Sequence, residues 1–297
     1  MRYYILVTLA VLFWSGNFVF GRYISSDINP LQLALFRWIF VLFLLMPFIF
    51  HSYKNLWYQF KENYLILTIQ SILGISTFNT FLYYGLQTTT ATNALLINSS
   101  IPILIIIFSA LILKKSITKL QLFGIFLSTL GVIYLVLKGQ INNIIEFEFT
   151  KGDFWIIGAC FVWALYSVLL KYKPKNLNAF EFFGLTTLIG TFVLSIVFMF
   201  SNESFNLELL NSNNEVIMAV SYMVIFPSIL SFYFWNISTA KLTANVTGQF
   251  AHLMPIFGAI MAYYILGEIL YFYHFIGIIL IGIGIYLSIF LKRNVRN

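Results

Sequence analysis

Apolar residues run along the chain in ten blocks, at about 3–21, 31–50, 64–86, 92–113, 119–137, 153–171, 178–199, 215–237, 243–266 and 272–291, parted by short polar connections. Blocks of about 20 residues are long enough to cross a hydrocarbon core as helices. The pattern predicts an all-α integral membrane protein with ten transmembrane helices. The first block runs on through WSGNFVFGR with no small-residue cleavage site, so it is expected to remain as a span rather than to leave as a signal peptide.

Basic residues test this count, because short cytoplasmic loops are enriched in Lys and Arg. With the N-terminus inside, 13 of the 17 fall on the cytoplasmic side: Arg2, Lys54, Lys61, Lys114, Lys115, Lys119, Lys171, Lys173, Lys175, Lys241, Lys292, Arg293 and Arg296. Only Arg22, Lys138 and Lys151 fall outside, and Arg37 lies within a span. A missed or invented span would scramble that bias, so both termini are expected in the cytoplasm, with the chain in a cytoplasmic (inner) membrane.

Composition removes most other classes. Of the 297 residues 60% are hydrophobic and 9% charged, against about 25% charged in soluble domains, and the mean hydropathy is +0.89. No soluble catalytic domain fits. Cys160 is the single cysteine and sits in an apolar block, so it is read as packing and no disulfide framework exists. With three histidines and no HExxH or CxxC pattern, no metal and no cofactor are expected. The net charge of +7 is spread over short loops, which suits topology and membrane lipid rather than nucleic acid.

The two halves repeat. Pro102, Lys115, Gly124 and Gly131 of the first recur as Pro255, Glu268, Gly277 and Gly284 of the second, at a constant offset of 153 residues, and Trp14 and Asn17 align with Trp163 and Tyr166. Five spans per unit make the second unit enter from the opposite side, so the repeats are inverted. That arrangement recurs in secondary transporters, with the substrate held near the midplane.

FWSGNFVFGRYI, INPLQLALFRW, TTTATNALLINSSIPI and the ILGE at 265–268 closely resemble the EamA-type branch of the drug/metabolite transporter superfamily, over essentially the whole chain. The resemblance implies two EamA-like units, 1–138 and 153–297 with its cytoplasmic tail, joined by an external connection at 139–152. It also implies cytoplasmic termini, ten helices and transport of small metabolites, often export of amino acids or related compounds. One departure is that Lys114 and Lys115 replace the Gly-Glu pair expected after the fourth span, which survives only as Gly267 and Glu268.

Polar groups inside hydrocarbon are costly and mark the substrate path. Arg37 either attracts a substrate carboxylate or, lying about 10 Å from the outer end of its span, snorkels or bonds backbone carbonyls. Asn245, Gln249 and His252 share a face at i, i+4 and i+7; His252 either contacts substrate or a proton, or is a satisfied interhelical hydrogen-bonder. Its repeat counterpart is Ser99, beside Asn98 and Ser100. If the histidine lies in the path, its replacement by Ala is expected to weaken transport and leave the chain folded. Aromatic candidates are Trp14 with Asn17, Trp163 with Tyr166, Asn79 with Tyr83, and the stripe Tyr222, Phe226, Ile229, Tyr233 and Asn236 on span 8. Pro102 and Pro255 are expected to interrupt spans 4 and 9 at matching places. Gly124, Gly131, Gly277 and Gly284 are read as close packing or the face of a homodimer.

No Asp or Glu falls deep in a span, which disfavours a carboxylate proton relay, and no GxxxxGK[ST] loop exists for ATP. The expected function is secondary transport, with a small-molecule substrate and no nucleic-acid partner. A carrier of nucleotide-type or cofactor-type solutes would need more cations than Arg37. An intramembrane enzyme would need a catalytic constellation that the sequence lacks.

Overall fold

The computed structural model describes residues 1–115, 117–140, 149–203, 214–266 and 271–289, with the backbone alone for Thr92 and 262–266. Gly267, Glu268, the connections 141–148 and 204–213, and the basic tail with Lys292, Arg293 and Arg296 lie outside the described residues. Every regular element among those described is helical. In chain order they are α1 (Arg2–Tyr23), α2 (Pro30–His51), α3 (Tyr53–Thr88), α4 (Asn93–Leu113), α5 (Lys119–Val136), α6 (Lys151–Tyr172), α7 (Ala179–Met199) and α8 (Asn214–Leu242). α9 follows as Ala244–Gln249 and Met254–Leu266 joined by a 3-10 turn at Phe250–Leu253, then α10 (Phe272–Ile289). Among the described residues nine helices are long and apolar enough to cross a membrane; α9, the expected tenth, is interrupted at Phe250–Leu253, close to Pro255 as expected.

Local chemistry sets the ends. Asn29 accepts from the Leu31 N–H just ahead of Pro30 and starts α2. Asn178 and Glu181 cap the start of α7 reciprocally. Asp153, the most buried of the described acids, accepts from the Thr150 N–H and hydroxyl and from the Thr89 hydroxyl, so it serves the start of α6 and is not a mid-membrane charge. α3 is kinked at Asn63, where φ is −131°. The stretch before it exposes Tyr53, Trp57 and Tyr58 and carries Lys54 and Lys61 over two of those rings, the composition of a membrane-surface segment.

The prolines interrupt where the repeat requires. Pro102 cannot donate to the Asn98 carbonyl, nor Pro255 to that of Ala251. α4 turns at Ser99–Ser100 and α9 at Phe250–Leu253. A second pair of interruptions carries no such mark in both halves: α3 and α8 each widen into a π-helical turn, at Ile72–Thr77 and Val224–Leu230, again one repeat apart.

Packing follows the same exchange. α1 packs on α8 as α6 packs on α3, α4 on α6 as α9 on α1, while α2 pairs with α7 and α5 with α10. In the last pair Gly124 meets Gly284 and Gly131 meets Gly277, so the two helices run antiparallel. A Cβ on Gly124 would lie 2.5 Å from the Gly284 carbonyl oxygen, and one on Gly284 the same distance from that of Gly124. The small-residue faces are therefore consumed inside one chain, which leaves them no role as a homodimer surface.

Candidate functional site

Aromatic side chains converge where α1, α3, α6 and α8 meet. Trp163 has the rings of Trp14, Phe78, Tyr166, Phe232 and Trp235 around it at centroid distances of 4.7–5.5 Å. Three of these polar ring groups are bonded: Trp14 Nε1 donates to the Pro227 carbonyl (2.9 Å), Trp235 Nε1 to Ser167 Oγ (3.2 Å) and Tyr166 Oη to Asn236 Oδ1 (2.8 Å). Gly74, in the π turn of α3, makes room for Tyr166, whose ring would stand 2.6 Å from any Cβ there. Trp14, Asn17, Phe18, Phe78, Asn98, Trp163, Trp235 and Met254 line a cavity of about 10 Å³. That is at most the room of a single water, so the centre is closed.

Arg37 lies beside this cluster and is fully buried. It neither snorkels nor bonds backbone carbonyls. Nε donates to Ser228 Oγ, and Nη1 to Asn79 Oδ1 (2.7 Å), Tyr83 Oη (2.7 Å) and Asn17 Oδ1 (3.2 Å); Tyr83 in turn donates to Asn17 Oδ1. The Trp38 ring stacks 5.1 Å from the guanidinium carbon. Ser228 is in place because of its neighbour. Pro227 cannot donate to the Met223 carbonyl, so the Ser228 hydroxyl donates there instead (2.6 Å) and turns its lone pairs to Arg37. A buried guanidinium is stable only when its N–H groups are bonded and its charge is offset. Here the ligands are neutral oxygens.

Other expected residues go elsewhere. Gln249 and His252 face the α5–α10 pair, while the Ser99 hydroxyl donates to the Leu96 carbonyl of its own helix: His252 Nδ1 lies 2.7 Å from Ser128 Oγ and Nε2 3.0 Å from the Ser99 carbonyl, and Gln249 bonds Ser288 and the Asn245 carbonyl. With both ring nitrogens satisfied, His252→Ala is expected to cost about 1–3 kcal/mol, read as a lower melting temperature of the purified protein. An unchanged melting temperature with lost transport would return His252 to the path. The continuous stripe on α8 does not form, because the π turn adds a residue and rotates everything after it. Tyr222 and Phe226 stack together against Phe20 and Phe13 of α1. Tyr233 turns to Phe180 of α7, and Phe232 and Trp235 take the inward places. Sequence reasoning missed these two and Ser228. Pro227, in mid-span, was the available signal.

The sequence model described as the EamA-like transporter family matches residues 1–137 and again 150–290. An uncharacterized transporter of Archaeoglobus fulgidus is 31% identical, with 96% of each chain covered. The uncharacterized transporter YyaM of Bacillus subtilis is 27% identical, over 96% of this chain and 92% of its own. Among solved structures, one crystal structure superposes with a TM-score of 0.74 at 15% identity, covering 100% of this chain and 99% of the other; it speaks to the fold alone.

Proposed function

Because the chain belongs to the EamA-like transporter family, we propose that it is a secondary transporter that moves small metabolites, amino acids or related compounds, outward across the cytoplasmic membrane by alternating access. The observation that carries this reading is the closed aromatic and polar centre, built where the two halves of the chain meet and flanked on both sides by interrupted helices. Broken or widened helices that converge on one point supply polar backbone and a place to bend. The exchange of neighbours between helices 1–5 and 6–10, with α5 antiparallel to α10, supports inverted units within 1–138 and 153–297, and the bias of Lys and Arg among the connections supports ten crossings with cytoplasmic termini. In that scheme one unit rocks against the other, and the centre opens to each side in turn.

Counterflow in proteoliposomes tests it. Vesicles loaded with an unlabelled amino acid are expected to accumulate the same labelled compound transiently, with saturation and without ATP. Accumulation no greater than in protein-free vesicles, for amino acids and for amines, would reject this substrate class. Trapping of nucleotide-type solutes alone would favour the carrier alternative on the same fold.

A further inference from the structure

The neutral oxygens around Arg37 leave its bonding incomplete in a particular direction. Arg37 Nη2 and Asn79 Nδ2 are both buried and both without a hydrogen-bond partner. They belong to one cluster, since Asn79 Oδ1 accepts from Arg37 Nη1 at 2.7 Å and the same carboxamide carries the free Nδ2. Two free donors and one full positive charge thus stand together, and both free groups ask for an acceptor. Among the described residues the chain offers no acid. No described acidic side chain reaches the guanidinium, and Asp153, the buried acid among those described, is bonded at the start of α6. Leaving a buried cation uncompensated is expensive, more so than leaving a neutral group. The cluster also touches the closed cavity: Asn17 lines it and holds Arg37 Nη1 with the same carboxamide.

We propose that Arg37 and Asn79 form the seat for a carboxylate of the transported molecule, whose apolar part lies against the Trp14, Trp163 and Trp235 cluster. The proposal rests on the transport reading and narrows it to carboxylate-bearing substrates. A planar guanidinium suits a planar two-oxygen anion, and charge-assisted bonds of this type are among the strongest a site can make. A single arginine matches one monoanionic group and leaves a doubly charged phosphate half-neutralised.

Binding to purified protein decides it, with amino acids and phenylpropanoate compared with the matching carboxamides, which keep the shape and lose the charge. Acids are expected to raise the melting temperature of the wild type and to bind at least about tenfold more tightly than their amides. R37Q is expected to lose that preference. N79D places a carboxylate of the chain itself on the guanidinium, so it is expected to melt higher than wild type and to bind acids no better than amides, whether or not R37Q folds. Equal binding of acids and amides by the wild type, an acid preference that survives N79D, or the same shift with chloride or inorganic phosphate alone at equal ionic strength would overturn the proposal. So would the absence of any shift with acids. Counterflow of amines or amides in the same preparations would then leave the transporter reading intact, whereas no flux of any compound would count against that reading itself.

Discussion

Gly284→Val is expected to lower the melting temperature by roughly 5–10 °C, equivalent to about 3 kcal/mol, and Gly124→Val by a similar amount. The size follows from what a side chain would meet. At Gly284 the added Cβ falls 2.5 Å from the Gly124 carbonyl oxygen and 2.5 Å from the Ser128 backbone nitrogen, and at Gly124 it falls 2.5 Å from the Gly284 oxygen and 2.7 Å from the Ser288 nitrogen. These are backbone atoms on a facing helix, so no rotamer change relieves the clash and the helices must part. Parting them loses close contact along the whole α5–α10 seam, and in a membrane such contact drives helix association because apolar burial between helices gains little over lipid. Gly282 is the control. It lies on the same helix with nothing within 4 Å of its Cβ position, so Gly282→Ala is expected to change stability by under about 1 kcal/mol, in the stabilising direction. Thermal scanning of the three purified variants checks this, and equal losses at positions 282 and 284 would refute close packing as the cause.

The small-residue faces of that seam were legible in the sequence because glycine spacing survives as a count, though not that the two faces meet each other, and so were the paired prolines and nine of the ten spans. Which face of a helix points inward was legible only where the helix stays regular. Asn79 and Tyr83, four residues apart after the π turn of α3, both reach Arg37 as their spacing suggests. Tyr222 and Tyr233 lie on opposite sides of the π turn of α8, so one register cannot describe both, and beyond the turn Phe232 and Trp235, not Tyr233, point inward. His252 shows a different limit. Its spacing from Gln249 and Asn245 is what a polar stripe requires, yet nothing in one chain's pattern says whether a stripe faces a cavity or another helix. Ser128 and the Ser99 carbonyl, far away in sequence, settle that only in three dimensions. Arg37 escaped the membrane surface for a similar reason, since Asn17, Asn79, Tyr83 and Ser228 come from three other helices.

Trp163→Ala is expected to be the most damaging single replacement in the centre, at about 3–5 kcal/mol, because Trp163 is buried and holds five aromatic neighbours. Trp155, on the same helix, makes ring contacts with Phe81 and Tyr84 but is 41% exposed, so Trp155→Ala is expected to cost under about 1 kcal/mol. Stability alone, however, does not separate a packing residue from one that shapes the substrate path, since in a closed centre the wall of the cavity is also the core. Trp163→Phe separates them. It keeps an aromatic ring against Trp14 and Phe78, costs about 1–2 kcal/mol, and adds the volume of the lost ring to a cavity that now holds almost nothing. If that cavity is where the substrate sits, the variant should stay folded and shift counterflow toward bulkier compounds, with the wild-type substrates held less tightly. A variant that melts lower but keeps the wild-type order of substrates would make Trp163 a packing residue and move the path away from the α1–α6 contact, toward the groups around Arg37.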